Sequence, residues 1–154
     1  MAIRNIVKEG DERLAKVCRP VEKFDRHLEE LVHDMKDTLK LAEGLGLAAP
    51  QVGILRRVVV VVDDNGKIFE LINPEIVEAV GEQEAHEGCL SIPGVFGVTR
   101  RPARVTVRAK NVKGEDVQYT REGITAVCFC HELDHLDGIL FRTHVEHYLD
   151  PDEN

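Results

Sequence analysis

The chain has 154 residues, 43% of them apolar, and a formal net charge of −8. That length buries one substantial core and is short for two, so a single domain over 1–154 is expected. The acidic balance argues against direct nucleic-acid binding, and no apolar run approaches the roughly 20 residues of a membrane span.

The first residues, from Met1 to Lys8, run into Gly10-Asp11-Glu12-Arg13 too early to hold a signal-peptide apolar stretch. A cytoplasmic protein is the expectation. Cysteines stand at 18, 89, 128 and 130. Without an export signal, and with histidines near three of them, metal or free-thiol use is expected rather than disulfides. Cys18 lies in a polar N-terminal segment and reads as an incidental thiol.

In chain order, the first periodic stretch is 25–42. Leu28, Leu31, Val32, Met35 and Leu39 recur at helical spacing, which predicts an amphipathic helix with Asp25 as N-cap and Gly44 as stop. Next comes Gly44-Leu-Gly-Leu-Ala-Ala-Pro-Gln-Val-Gly53. It lacks the Lys-Ser/Thr of a phosphate loop, and it follows a helix, which excludes a dinucleotide fingerprint. It reads as a helix cap with a tight apolar loop. Alternatively it is a backbone wall against a small substrate, with Gln51 donating to a developing oxyanion. The β-branched run 57–63 predicts a buried strand. A turn at Asp63–Gly66 leads to a hairpin partner over 68–72, Asn73-Pro74 interrupts, and 75–80 reads as another strand. Residues 104–110 alternate, turn at Lys113-Gly114 and return over 116–121. Residues 123–137 are apolar on most sides and predict a central, buried helix ended by Gly138. Strand runs between two separated helices give an α+β fold. Antiparallel sheets are then packed around the central helix, with the amphipathic helix N-terminal to them. Residues 150–154 read as a frayed acidic end.

The central helix carries His131-Glu132-Leu133-Asp134-His135, an H-E-x-x-H pattern. At 3.6 residues per turn, positions i and i+4 share a face, so two imidazoles converge on one ion while Glu132 reaches its water. Two histidines and two acids on a solvated helix would be unremarkable. On an apolar helix, unpaired polar groups are costly, which favours a functional reading. A catalytic site needs a third ligand. Asp137, His144, Glu146 and His147 lie downstream, but Cys89 in Glu87-Gly-Cys-Leu-Ser91 is the better candidate, because the adjacent glycine lets the backbone approach the ion. Cys128 shares the helix face but falls short. It would have to span roughly 7.5 Å along the axis, against the ~5 Å that a cysteine reaches. Cys130 points about 100° away. Both read as packing residues.

Together, Gly44–Gln51, Glu87–Ser91 and His131–His135 resemble, in order and approximate spacing, the three signature motifs of peptide deformylases. Asp11–Leu14, Ile72-Asn73-Pro74, Ser91-Ile92-Pro93 and the Arg101 segment extend the likeness over 3–143. The resemblance implies hydrolysis of the N-formyl group from the N-terminal formyl-methionine of newly made polypeptides, with release of formate. It implies Cys89, His131 and His135 as ligands of one divalent metal, ferrous iron in the cell, with zinc, nickel or cobalt able to occupy the site. Glu132 becomes general base and acid; Gln51 and the Leu90 N–H become oxyanion donors. Leu45, Gly46, Glu87, Ile124, Val127 and Cys128 would line the substrate region, with Arg101 contacting peptide or bracing the site. A monomer is expected. Relatives contact the ribosome transiently through a C-terminal helix; the chain stops soon after Tyr148, so that route is not expected here. His86 and Cys130 depart from the family's usual acidic residue and glutamine.

Two other readings stay open at this point. An H-E-x-x-H metallopeptidase would take its third ligand downstream. A non-enzymatic metal-stabilised module would close the site with a fourth protein ligand.

Overall fold

Five consecutive valines, Val58–Val62, dictate the layering. Successive side chains of a strand point to opposite faces, so such a run needs apolar cover on both sides. In this computed structural model, which describes residues 2–150, two helices supply it. Helix α1 is Arg26–Ala42 and helix α2 is Gly123–Leu136. The strands are β1 (Gly46–Ala48), β2 (Val58–Val62), β3 (Ile68–Val80), β4 (Gln83–Cys89), β5 (Ile92–Arg101), β6 (Arg104–Lys110), β7 (Asp116–Glu122) and β8 (Val145–Leu149). They form an antiparallel five-stranded sheet, ordered β1-β2-β3-β6-β7, and an antiparallel three-stranded sheet, ordered β4-β5-β8.

Val58 and Val60 of β2 pack with Leu28, Leu31, Val32, Met35 and Leu39 of α1. Val59 and Val61 face the other way, into a core with Ala126, Phe129, Leu133 and Leu136 of α2. Phe69 anchors that core, edge-on to Phe129 at 5.4 Å and to Tyr119 at 4.8 Å between centroids. The Asp25 side chain caps α1 by accepting from the Leu28 N–H at 3.1 Å.

Several expectations need correction. The left-handed residue that ends α1 is Glu43 (φ 56°), one position before Gly44. Residues 68–72 and 75–80 are one strand, because β3 passes Asn73-Pro74 with a register shift against β6 and Asn73 at φ 53°. The Asn73 carboxamide explains the detour: it accepts from the Val21 N–H and donates to the Val21 carbonyl. Cys18 is in the core rather than in a polar segment, because its backbone N–H docks on the Leu136 carbonyl at the end of α2 and carries the thiol inward. The acidic end, from residue 151 on, lies outside the described residues. None of the described helices is long and apolar enough to cross a membrane.

Candidate active site

Three segments distant in sequence meet beside α2. The β4–β5 hairpin turns tightly at Leu90-Ser91 and presents Cys89 at the end of β4. β1 and the following 3-10 turn (Ala49–Val52) present Gly46 and Gln51. α2 presents His131, Glu132 and His135. The donor atoms of Cys89, His131 and His135 all lie within 4.8 Å of one another, and the Cys89 Sγ is 3.4 Å from the His135 Nε2. Among the described residues no other group of three potential ligands comes together. Three of the downstream candidates have other partners: Asp137 pairs with Arg57, His144 with Asp134 and Glu146 with Arg100. A third ligand supplied from those three, as in the metallopeptidase reading, finds no support.

The trio suits a divalent metal. A thiolate and two imidazoles match zinc and ferrous iron alike. His131 Nδ1 is committed to the Glu87 Oε1 at 2.8 Å, which leaves Nε2 for an ion and fixes the ring. Phe141 stacks on the same imidazole at 5.9 Å. Burial pushes the His131 pKa down, but the Glu132 charge and the hydrogen bonds with Cys89 and Glu87 outweigh it and raise it to about 10. An ion at Nε2 would displace that proton, because imidazole ligates only in its neutral form. His135 is pushed down to about 3, by burial and then by the charge of His131, and stays neutral, the form that ligates.

Glu87 does more than line the cavity. It is 4% exposed and receives Arg101 on both oxygens, at 2.7 and 3.0 Å, together with the Thr99 hydroxyl. Burial raises its pKa, yet the hydrogen bonds from His131 and Arg101 prevail and hold it at about 2. Arg101 also donates to Asp134 at 2.9 Å and is itself buried, so it ties β5 and α2 together behind the site.

Glu132 is buried, and its Oε1 has no protein hydrogen-bond partner. Desolvation pushes its pKa up to about 7. The side chain fits only because residue 46 is glycine: a Cβ there would stand 2.6 Å from Oε2 and 2.8 Å from Cγ. Gln51, 1% exposed, accepts from the Ala48 N–H at 3.0 Å and turns its Nε2 toward the Ser91 Oγ (3.1 Å) and the Cys89 Sγ (3.5 Å).

These groups open on a cavity of about 620 Å³. Leu45, Gly46, Glu87, Ile124, Val127 and Cys128 all line it, as do Gln51, Leu90, His131 and Glu132. Cys128 thus faces the cavity, while Cys130 is in the core of α2; burial pushes the two thiols up to about 12 and about 11. Sequence reasoning gave no role to Ser91, Thr99, Asp134 or Phe141. Ser91 and Asp134 sit inside quoted motifs, so proximity was the available signal; Thr99 and Phe141 reach the site only through tertiary pairing.

A donor trio with a buried carboxylate, set in an apolar cavity along a helix wrapped by antiparallel sheets, defines the class as a metal-dependent hydrolase. A sequence profile described as polypeptide deformylase matches residues 3–149, and the chain belongs to that family. A peptide deformylase of Acetivibrio thermocellus is 53% identical over 153 residues, covering 99% of this chain and 89% of the relative. The crystal structure of the Thermotoga maritima peptide deformylase superposes with a TM-score of 0.91 at 39% identity, covering 95% of this chain and 99% of that one. The Legionella pneumophila peptide deformylase gives a TM-score of 0.90 at 44% identity, covering 94% and 87%.

Proposed function

We propose that this chain is a cytoplasmic, single-domain enzyme that hydrolyses the N-formyl group from the N-terminal formyl-methionine of newly made polypeptides, releasing formate. The observation that carries the reading is the Glu132 carboxylate: buried, poised near neutrality, and opening on the same apolar cavity as Cys89 and His131. Cys89, His131 and His135 would hold one divalent metal, ferrous iron in the cell, with zinc, nickel or cobalt able to replace it. Such an ion supplies Lewis acidity and makes a water molecule acidic enough to react near neutral pH.

The chain's own groups then have defined tasks. Leu45, Ile124, Val127 and Cys128 take the methionine side chain into the apolar end of the cavity. Glu132 accepts the proton of the attacking water and returns it to the departing amine nitrogen, which a carboxyl with a pKa near ambient pH does in both directions. The Gln51 Nε2 and the Leu90 N–H donate to the oxygen that becomes negative in the tetrahedral intermediate. Glu87, gripped by Arg101, keeps the His131 ring in one tautomer and orientation.

The test is formate release from formyl-Met-Ala-Ser by protein purified and metal-loaded without oxygen. Glu132→Gln should keep its metal and lose most turnover. Absence of formate from the loaded wild-type protein, or unchanged turnover in the variant, overturns the reading.

A further inference from the structure

The two proposed oxyanion donors, Gln51 and Leu90, come from segments 39 positions apart, and the direct hydrogen bonds between those segments run through the Gln51 side chain alone, to the Ser91 Oγ and the Cys89 Sγ, with no backbone hydrogen bond between the two turns among the described residues. A third segment touches both. The Val7 N–H donates to the Gln51 carbonyl at 2.7 Å, and the Glu9 N–H donates to the Ser91 carbonyl at 2.8 Å. Both acceptor residues are buried. The same N-terminal stretch goes on to the end of the catalytic helix, where the Cys18 N–H meets the Leu136 carbonyl at 2.8 Å. Its course is fixed at Gly138 (φ 75°), where a Cβ would stand 2.6 Å from the Ala15 backbone. At the other end the Glu9 carboxylate is gripped by the Arg142 guanidinium, with Nη2 at 2.9 Å from Oε1, and Arg142 also donates to the Tyr148 hydroxyl on β8 at 3.1 Å.

We propose that the segment Val7–Glu9 is a positioning strap: two backbone N–H groups, two residues apart, set the spacing between the Gln51 turn and the Leu90-Ser91 turn, with the Glu9–Arg142 pair as its latch. The inference rests on the oxyanion roles given above. Val7 and Glu9 touch neither substrate nor metal; they act through the residues they hold. Such a strap governs the chemical step more than substrate capture, because Leu45, Ile124, Val127 and Cys128, which take the methionine side chain, lie outside the two turns that it holds. A donor displaced by about 1 Å can cost on the order of 100-fold in rate, so loss of one of two pins should lower kcat about tenfold.

The experiment compares Glu9→Pro, which deletes the pinning N–H together with the latch carboxylate, with Glu9→Gln, which removes the charge but keeps the N–H, and with Lys8→Pro, which stiffens the same stretch but leaves both pins and the latch. All are metal-loaded and assayed on formyl-Met-Ala-Ser, with metal content, melting temperature and amide hydrogen exchange of residues 88–92 measured alongside. Glu9→Pro should lose about tenfold in kcat with KM within twofold and metal retained, and exchange over 88–92 should quicken; Glu9→Gln should lose less than Glu9→Pro, and Lys8→Pro should stay within twofold of wild type. Should Glu9→Pro fail to fold, a synthetic 1–17 thioester carrying an ester in place of the Lys8–Glu9 amide can be joined at Cys18, which removes that N–H alone. Unchanged kcat in the variant lacking the Glu9 N–H, a loss equalled by Glu9→Gln, or a loss matched by lost metal, overturns the strap while leaving the proposed function standing. An inactive wild-type protein overturns both.

Discussion

Gly46→Ala isolates the fit between the loop and the catalytic carboxylate. The added methyl would stand 2.6 Å from the Glu132 Oε2, 2.8 Å from Cγ and 3.0 Å from Cδ. Carbon–carbon and carbon–oxygen contacts settle at roughly 3.5–4 Å, so about 1 Å of movement is needed. The loop cannot readily supply it: Gly46 pairs with Val61, and β2 is held between two packed cores. The carboxylate must swing instead, and a displacement of that size is worth about 100-fold in rate, or about 2.7 kcal/mol. The backbone at Gly46 is not in the left-handed region, so alanine adds no conformational strain there. The expected result is therefore a well-folded, metal-loaded protein with kcat for formate release reduced ten- to a hundredfold. A variant with kcat within twofold of wild type would refute the claim that the missing side chain at position 46 makes room for the base.

Arg101→Met strands the Glu87 carboxylate in a buried position, which should destabilise the fold by about 3–5 kcal/mol and weaken metal binding about 10- to 100-fold. Because the folded-state pKa of Glu87 is depressed, its contribution is present above the ordinary value of 4.5 and is lost as pH falls toward 2; the denaturation gap between wild type and variant should narrow over that range. Glu132 has the opposite sign: its raised pKa makes ionisation costly to the fold as pH climbs from 4.5 through about 7. Metal-free Glu132→Gln should therefore match wild-type stability at pH 4 and exceed it at pH 8 by on the order of 3 kcal/mol; equal urea midpoints at pH 8 would contradict this. Cys89→Ala should lose stoichiometric metal, as read by elemental analysis, and with it formate release; metal retained at one per chain would remove Cys89 from the ligand set.

The helices, β2 and the β6–β7 hairpin are legible in the sequence because each satisfies its own period and carries its own stop signals. The β4–β5–β8 sheet is not. On β4, Glu84, Ala85, His86 and Glu87 have no β-branched content and become a strand because β5 pairs with them, while Pro93, Gly94 and Gly97 break up the β-branched residues of β5. Cys89, His131 and His135 could be read from spacing and ligand chemistry. The role of Glu87 could not, since its carboxylate would suit a cavity wall until Arg101, Thr99 and His131 converge on it from other elements. Cys18 misleads for the same reason: polar neighbours in sequence say nothing about a segment whose backbone docks on the end of α2.

The valine strand β2 divides the molecule into two compartments. Leu28, Leu31, Val32 and Met35 lie on the face of the sheet away from α2, so substitutions among them act on the metal-binding side only through the sheet and the segments that pack with them. The screening leaks where segments of the site join the α1 core, at Leu47 and Ala49 beside Gly46 and Gln51, and at Leu90. Leu39 and Leu90 both crowd Gly44, with their Cδ1 atoms 3.0 and 2.9 Å from where its Cβ would be, and Leu90 packs against the α1 core. Enlarging residue 39 would press on the turn that carries the Leu90 amide, so a repacking campaign should hold that position fixed and spend its freedom on the first three turns of α1.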